Sequence, residues 1–519
     1  MFTKKMNKLL SSAVLSSLLV LTACGGGGGG ETATDAGGAG SSTTGQKVLN
    51  IGLKADPPSL DPMSSSSLYD RQVQNSIYDK LFDVNADGEV VPMLVSEYTV
   101  SEDGLTYTLT LHDGITFQDG SEFNAEAVKF NLERYKQEGS KRISELNPID
   151  TVEATDELTV VITLKEPFAP FLSVLSDRSG MMVSPAAVEK HGDNYVKNPV
   201  GTGPYAFVEQ VSGDHVTLKK NENYWKNEVK IDEVNYKVFT NTSAAVQNLR
   251  SGVVDIIDEI PVKEIPTVES DPNLTVVAQA NMGFQGIHLN NTVGDLQNKY
   301  LRQAVDLALD REAIVKVLFD GYGAPAHTPF APGSLAYNEE QDKSPAVDAA
   351  KVQELLEKGG KPDGFSFKMQ ISTTTENEQF GAVIQNMLKT HKINVELEKV
   401  EYGTMLENGD SGNFEAMQLG WSGRIDPDQN VYDFLVTGMP NNQGRISEPE
   451  LDEVLIAARA EQDTAKRAEL YQQAMDIVHE NGSYVYIYHN YDKFGVSNKV
   501  QGFTYIPDGI IRTANLDIQ

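Results

Sequence analysis

At 519 residues the chain exceeds one typical domain, and 40% hydrophobic with 23% charged residues suits an ordinary globular protein with a large core. The formal net charge of -31 is the departure. A surface this acidic repels phosphate backbones, which bind through Lys and Arg, and so argues against nucleic acid as a partner.

Lys4, Lys5 and Lys8 form a positive n-region, followed by an apolar run from Leu9 to Leu21 that is shorter than the roughly 20 residues a membrane span needs. It ends at Leu21-Thr22-Ala23-Cys24, which resembles a bacterial lipobox. Residues 1–24 are therefore expected to be a lipoprotein signal, with Cys24, the only cysteine, lipidated at the extracytoplasmic face of the membrane. Two acyl chains there would anchor stably where one would not. Six glycines, Gly25 to Gly30, and a Ser/Thr/Gly/Ala-rich stretch make residues 25–46 a flexible tether. The folded part is expected from Lys47.

A first strand, Val48 to Leu53, precedes a turn fixed by Pro57, Pro58 and Pro62, and residues 68–82 have helical spacing. Asp83 to Gly88 matches half of a calcium loop. The twelfth position is Leu94 rather than Glu, so the segment is expected to be a hairpin turn. Leu105 to Leu111 alternates as a half-buried strand, Asp113-Gly114 turns it into a strand at Ile115-Thr116-Phe117, and Asn124 caps a helix ending near Gly139. Asn198 to Tyr205 has a phosphate loop's glycines without its Lys-Ser or Lys-Thr, which leaves a backbone corner. Beyond Phe284, helices and strands alternate as in an α/β lobe, and two short helices in 300–321 should turn Leu301, Val305, Leu309, Ile314, Val317 and Leu318 inward.

The densest polar segment runs from Trp421 to Phe434, WSGRIDPDQNVYDF, with Gly423 and Pro427 interrupting regular structure. An aromatic-flanked polar loop of this kind suits ligand contact.

Four blocks, Leu105–Tyr135, Pro199–Tyr205, Tyr300–Val315 and the Trp421 loop, together resemble the peptide/nickel class of extracytoplasmic solute-binding proteins, the receptors of ABC importers. The resemblance implies an α/β two-lobed clamp with an accessory subdomain in the N-terminal lobe. Residues 47–285 would form lobe I, with the accessory part at about 60–195; 286–490 would form lobe II; 491–519 would return to lobe I. A monomer would hold its solute between the lobes and present the closed form to a permease, with no cofactor and no catalysis. Peptide-binding members place an Asp three residues after the loop Trp to receive a peptide's amino terminus. Arg424 stands there instead, and a guanidinium suits a carboxylate. A short peptide, peptide-like or amino-acid-derived ligand with an anionic group is therefore expected. The expected contacts are Trp421, Arg424, Asp426, Asp428, Phe284, Tyr78, Ser59 and His489, where Asp426 and Asp428 could instead neutralise Arg424.

Three alternatives remain at this stage, one of them a sensor or adhesin, which lipid anchoring alone would also fit. His489 would make the chain a nickel-chelate or haem receptor, since imidazole suits such metals. A secreted hydrolase is the alternative of another class, but Gly-x-Ser-x-Gly, His-Glu-x-x-His and a cysteine nucleophile in the folded part are all missing, and the eight His residues are scattered.

Overall fold

The computed structural model describes residues 45–65 and 67–519. Cys24, the basic and apolar segments before it and tether residues 25–44 lie outside the described residues. No helix among those described is long and apolar enough to cross a membrane.

Two long antiparallel strands, Leu274–Leu289 and Tyr484–Ser497, form the spine of an eleven-stranded sheet. On one side follow Ile256–Ile257, Val48–Leu53, Glu233–Val238, His215–Lys220 and Tyr205–Val211. On the other follow Ala416–Gln418, Phe365–Ser372 and Ile393–Val400. Each end carries its own core. Leu49, Ile51, Tyr236, Val496 and Leu516 pack together at the first, so the last residues complete the lobe that the first strand begins. Ile287, Leu309, Met369, Ile384 and Val485 pack at the second, beside a helical layer built from Pro449–Ala460 and Thr464–Asn481. The molecule is thus two α/β lobes sharing a spine.

The accessory unit is a four-stranded antiparallel sheet of Val95–Val100, Thr106–Leu111, Thr159–Leu164 and Ile149–Ala154. The expected alternation puts Tyr107, Leu109 and Leu111 inward, against the helix Ala125–Tyr135. Asn124 caps that helix by accepting from the Ala127 N–H at 3.1 Å. The half-matched calcium segment is a hairpin, with Phe82 paired to Pro92 and Val84 to Val90.

Four local expectations are corrected. Thr116 makes only an isolated bridge to Glu122, because the Phe117 N–H donating to Ser121 closes the turn before a strand can extend. The first helix stops at Ile77, where Tyr78 turns extended at its C-cap. Val317 faces outward at 67% exposure. The Trp421–Phe434 loop becomes helical at Asp428–Leu435, since proline is tolerated at a helix start and Asp428 suits the first turn.

Candidate functional site

The loop after the short strand Ala416–Gln418 is pinned to the spine by backbone. The Phe284 N–H donates to Trp421 O at 3.0 Å and the Trp421 N–H to Phe284 O at 2.8 Å. Two glycines permit this approach. A Cβ on Gly283 would stand 2.8 Å from Trp421 O, and one on Gly423, whose φ is +79°, 2.1 Å from Met282 C. The chain beyond Trp421 is thereby driven into an interlobe cavity of about 360 Å³. That size is near the lower end of the roughly 300–1,000 Å³ found for ligand sites, and suits a small solute better than a long peptide.

Three guanidiniums line this cavity, Arg71 from the first helix, Arg178 from a short helical turn and Arg424 from the Trp421 loop. They converge on one carboxylate, that of Asp177. Arg71 Nε lies 2.9 Å from Asp177 Oδ1, Arg178 Nε 3.9 Å from the same atom and Arg424 Nε 3.9 Å from Oδ2. Burial by itself would raise the Asp177 pKa, yet Arg71, Arg178 and Arg424 hold it far below the carboxylate range. Burial brings Arg178 down to about 10, partly offset by Asp177 and reinforced by the neighbouring Arg71 charge. Arg424 is lowered by burial too, with Asp177 opposing and Arg71 adding repulsion. Its guanidinium stacks 4.7 Å from the Trp421 ring, and its Nη1 donates to Gly423 O at 2.7 Å and to Ser422 Oγ at 3.2 Å. Three cations against one anion leave this wall with an unneutralised positive charge of two.

A second wall comes from the spine and the C-terminal segment, through Asn281, Asn490, Asp492, Asp508 and Gly509. Arg512 neutralises Asp508, its Nη2 donating to Oδ2 at 2.7 Å. Asp492 accepts from Asn281 Nδ2 at 2.8 Å and from the Tyr505 hydroxyl at 3.0 Å.

Of the residues expected from sequence, Arg424 reaches the cavity wall and Trp421 stands behind it as its stacking platform. The others are placed elsewhere. Asp426 and Asp428 do not neutralise Arg424. Arg467 takes Asp426 in a fork, Nη1 to Oδ2 at 2.7 Å and Nη2 to Oδ1 at 2.6 Å, while Arg459 takes Asp428 through Nε at 3.0 Å and Nη2 at 2.7 Å. These pairs tie the loop to the two long helices of its own lobe. Phe284 is buried among Tyr484, Tyr486 and Phe434. The Tyr78 hydroxyl donates to Leu60 O at 2.9 Å within the N-terminal core. Ser59 receives its backbone order from Asp70 and pairs its hydroxyl with Ser64 at 2.7 Å. His489 is 1% exposed and meets Asp342 through Nε2 at 3.0 Å. No cluster of three or more metal-ligating side chains occurs among the described residues.

Arg71, Asp177, Arg178 and Asp492 are the site residues that sequence reasoning did not select. Arg71 and Asp177 are over a hundred residues apart, and no local spacing signals their meeting.

The sequence matches the family described as bacterial extracellular solute-binding proteins, family 5 middle, over residues 89–443. It is 32% identical over 479 residues to the glutathione-binding protein GsiB of Pectobacterium atrosepticum, which covers 89% of this chain and 92% of the relative. Among solved structures it resembles HbpA2 from Haemophilus parasuis, with TM-score 0.82, 25% identity, and coverage of 91% of this chain and all of that one. It also resembles the periplasmic binding protein DppA of Helicobacter pylori in complex with peptide STSA, with TM-score 0.77, 26% identity, and coverage of 91% and 98%.

Proposed function

Because this chain belongs to family 5 of the bacterial extracellular solute-binding proteins, we propose that it captures a short peptide-like solute bearing anionic groups and hands it to an ABC permease. The observation that carries the anionic part is the wall of Arg71, Arg178 and Arg424, in which one carboxylate offsets three guanidiniums. Arg forks bind carboxylates bidentately, and inside a closed, partly dry cleft such contacts are stronger than at a surface. The small cavity and the glutathione-binding relatives favour a tripeptide-sized ligand such as glutathione.

Titration calorimetry with glutathione tests this. The wild-type protein is expected to bind it, and Arg424→Ala to weaken binding by about 10-fold or more, the loss of one charge-assisted hydrogen-bonding partner. Unchanged affinity in Arg424→Ala would sink the anionic reading.

The receptor is held at the extracytoplasmic face of the cell membrane by a lipid on Cys24, a reading that rests on the basic n-region, the short apolar run and Leu-Thr-Ala-Cys at 21–24. Cell fractionation tests it: Cys24→Ser should move the protein from the membrane to the soluble fraction, and persistence in the membrane would refute the anchor. We further propose that residues 47–285 with 491–519 form one lobe and 286–490 the other. Limited proteolysis with and without glutathione, cutting at or away from those joints, checks the division.

A further inference from the structure

Resting on the peptide-like reading above, we infer that Asp492, on the spine strand Tyr484–Ser497, is the subsite for a ligand ammonium, and that the ligand is a dicarboxylate carrying one free amino group.

The cavity walls differ in sign. Arg71, Arg178 and Arg424 against Asp177 leave two positive charges, which call for two ligand carboxylates. On the other wall, Arg512 takes Asp508 and also reaches Asp83 at 2.9 Å, where Lys80 joins at 2.6 Å. That group is balanced within itself. Asp492 is the exception, for among the described residues no cation lies within ion-pair distance of its carboxylate. The adjacent Lys493 is committed elsewhere, its Nζ donating to Tyr491 O at 2.9 Å and approaching Glu259 at 3.9 Å.

Asp492 is nonetheless held in place. Asn281 fixes Oδ1 with one amide hydrogen while its own Oδ1 accepts from the Gly283 N–H at 2.8 Å, at the irregularity of the spine between Ala280 and Phe284. Tyr505 fixes Oδ2, and a Cβ on Gly509 would stand 2.9 Å from that oxygen, so glycine leaves room beside it. A positioned carboxylate without a cation, in a cleft that buries its ligand, is completed by an ammonium from the ligand. Burial raises its pKa, partly offset by the Asn281 and Tyr505 hydrogen bonds, and an ammonium would favour the ionised form. The amino group is thus read from the strand, while the loop position three residues after Trp421 carries Arg424 and reads carboxylate.

Calorimetry with glutathione and with its des-amino analogue, glutaryl-cysteinyl-glycine, tests this on wild-type protein and on Asp492→Asn. Wild type should bind glutathione at least about 10-fold more tightly than the analogue, and Asp492→Asn should lose that preference by weakening glutathione alone. If wild type binds both compounds equally, the Asp492 subsite is overturned while the anionic receptor reading stands. Discrimination retained in Asp492→Asn overturns it too. The wild-type comparison needs no variant to fold. If wild type binds neither compound, the peptide-like reading itself falls and the ammonium subsite with it.

Discussion

Asp177 shows how much one side chain can organise in this site. Its carboxylate meets Arg71 directly and faces Arg178 and Arg424, so it keeps three guanidiniums together in the ligand-free cavity without neutralising them. Replacing it with Asn would leave three partly buried cations repelling one another. Breaking a buried ion pair from one side costs more than the pair itself contributes, because the orphaned charge remains desolvated. Asp177→Asn is expected to lower stability by roughly 3 kcal/mol in urea denaturation at neutral pH. The sign of the pH dependence follows from the direction of the shift. The folded pKa lies far below the ordinary aspartate value of about 3.9, so the contribution is present above about pH 3.9 and fades as pH falls below it. The gap between wild type and Asp177→Asn should therefore close on acidification below pH 4. A constant gap down to pH 2 would show that the lost stability comes from packing and not from charge.

At the scale of elements, the sequence made some things legible because their cause is local. The strand at Val48–Leu53, the alternating strand at Thr106–Leu111 and the helix capped by Asn124 each carry their own periodicity or cap; both strands are present within a residue, and the helix starts at its cap but ends at Tyr135, four residues before Gly139. The Trp421 loop was legible as a place of concentrated polar chemistry, and Arg424 does line the cavity. Its carboxylates were not legible as structural. Asp426 and Asp428 have the composition of ligand contacts, but their partners Arg467 and Arg459 lie 41 and 31 residues further on, in helices whose packing side depends on the whole lobe. The same pairing explains the rigidity a binding loop needs. Pro427 ends the extended part, Asp428 opens the helix, and the two arginines hold both ends of the turn on helices Pro449–Ala460 and Thr464–Asn481. The cavity's other charged residues come from four separate chain regions, near 71, 177, 492 and 508, and only the folded arrangement brings them to one place.

At the scale of the molecule, those same pairs connect ligand capture to contact between the lobes. Arg459 grips Asp428, and its guanidinium lies between two rings, Tyr432 of its own lobe at 3.2 Å and Phe168 of the accessory unit at 5.4 Å. Its backbone carbonyl accepts from the Ala169 N–H at 2.9 Å. A short chain of contacts thus runs from Arg424 in the cavity, through the helix that Asp428 opens, to a clasp between Arg459 and the accessory unit. A ligand bridging Arg424 and the Arg71 wall is expected to favour the arrangement in which the clasp is made, and the clasp in turn to raise the population able to bind. Phe168→Leu keeps apolar bulk in the accessory core but removes the ring face from Arg459. A cation–π contact is worth about 0.5–1 kcal/mol, so glutathione affinity should fall about 2- to 5-fold. Small-angle scattering gives the independent check. The ligand-free variant should have a larger radius of gyration than ligand-free wild type, and saturating glutathione should bring both to the same value. Equal radii without ligand, together with unchanged affinity, would mean that Arg459 and Phe168 touch without contributing to closure.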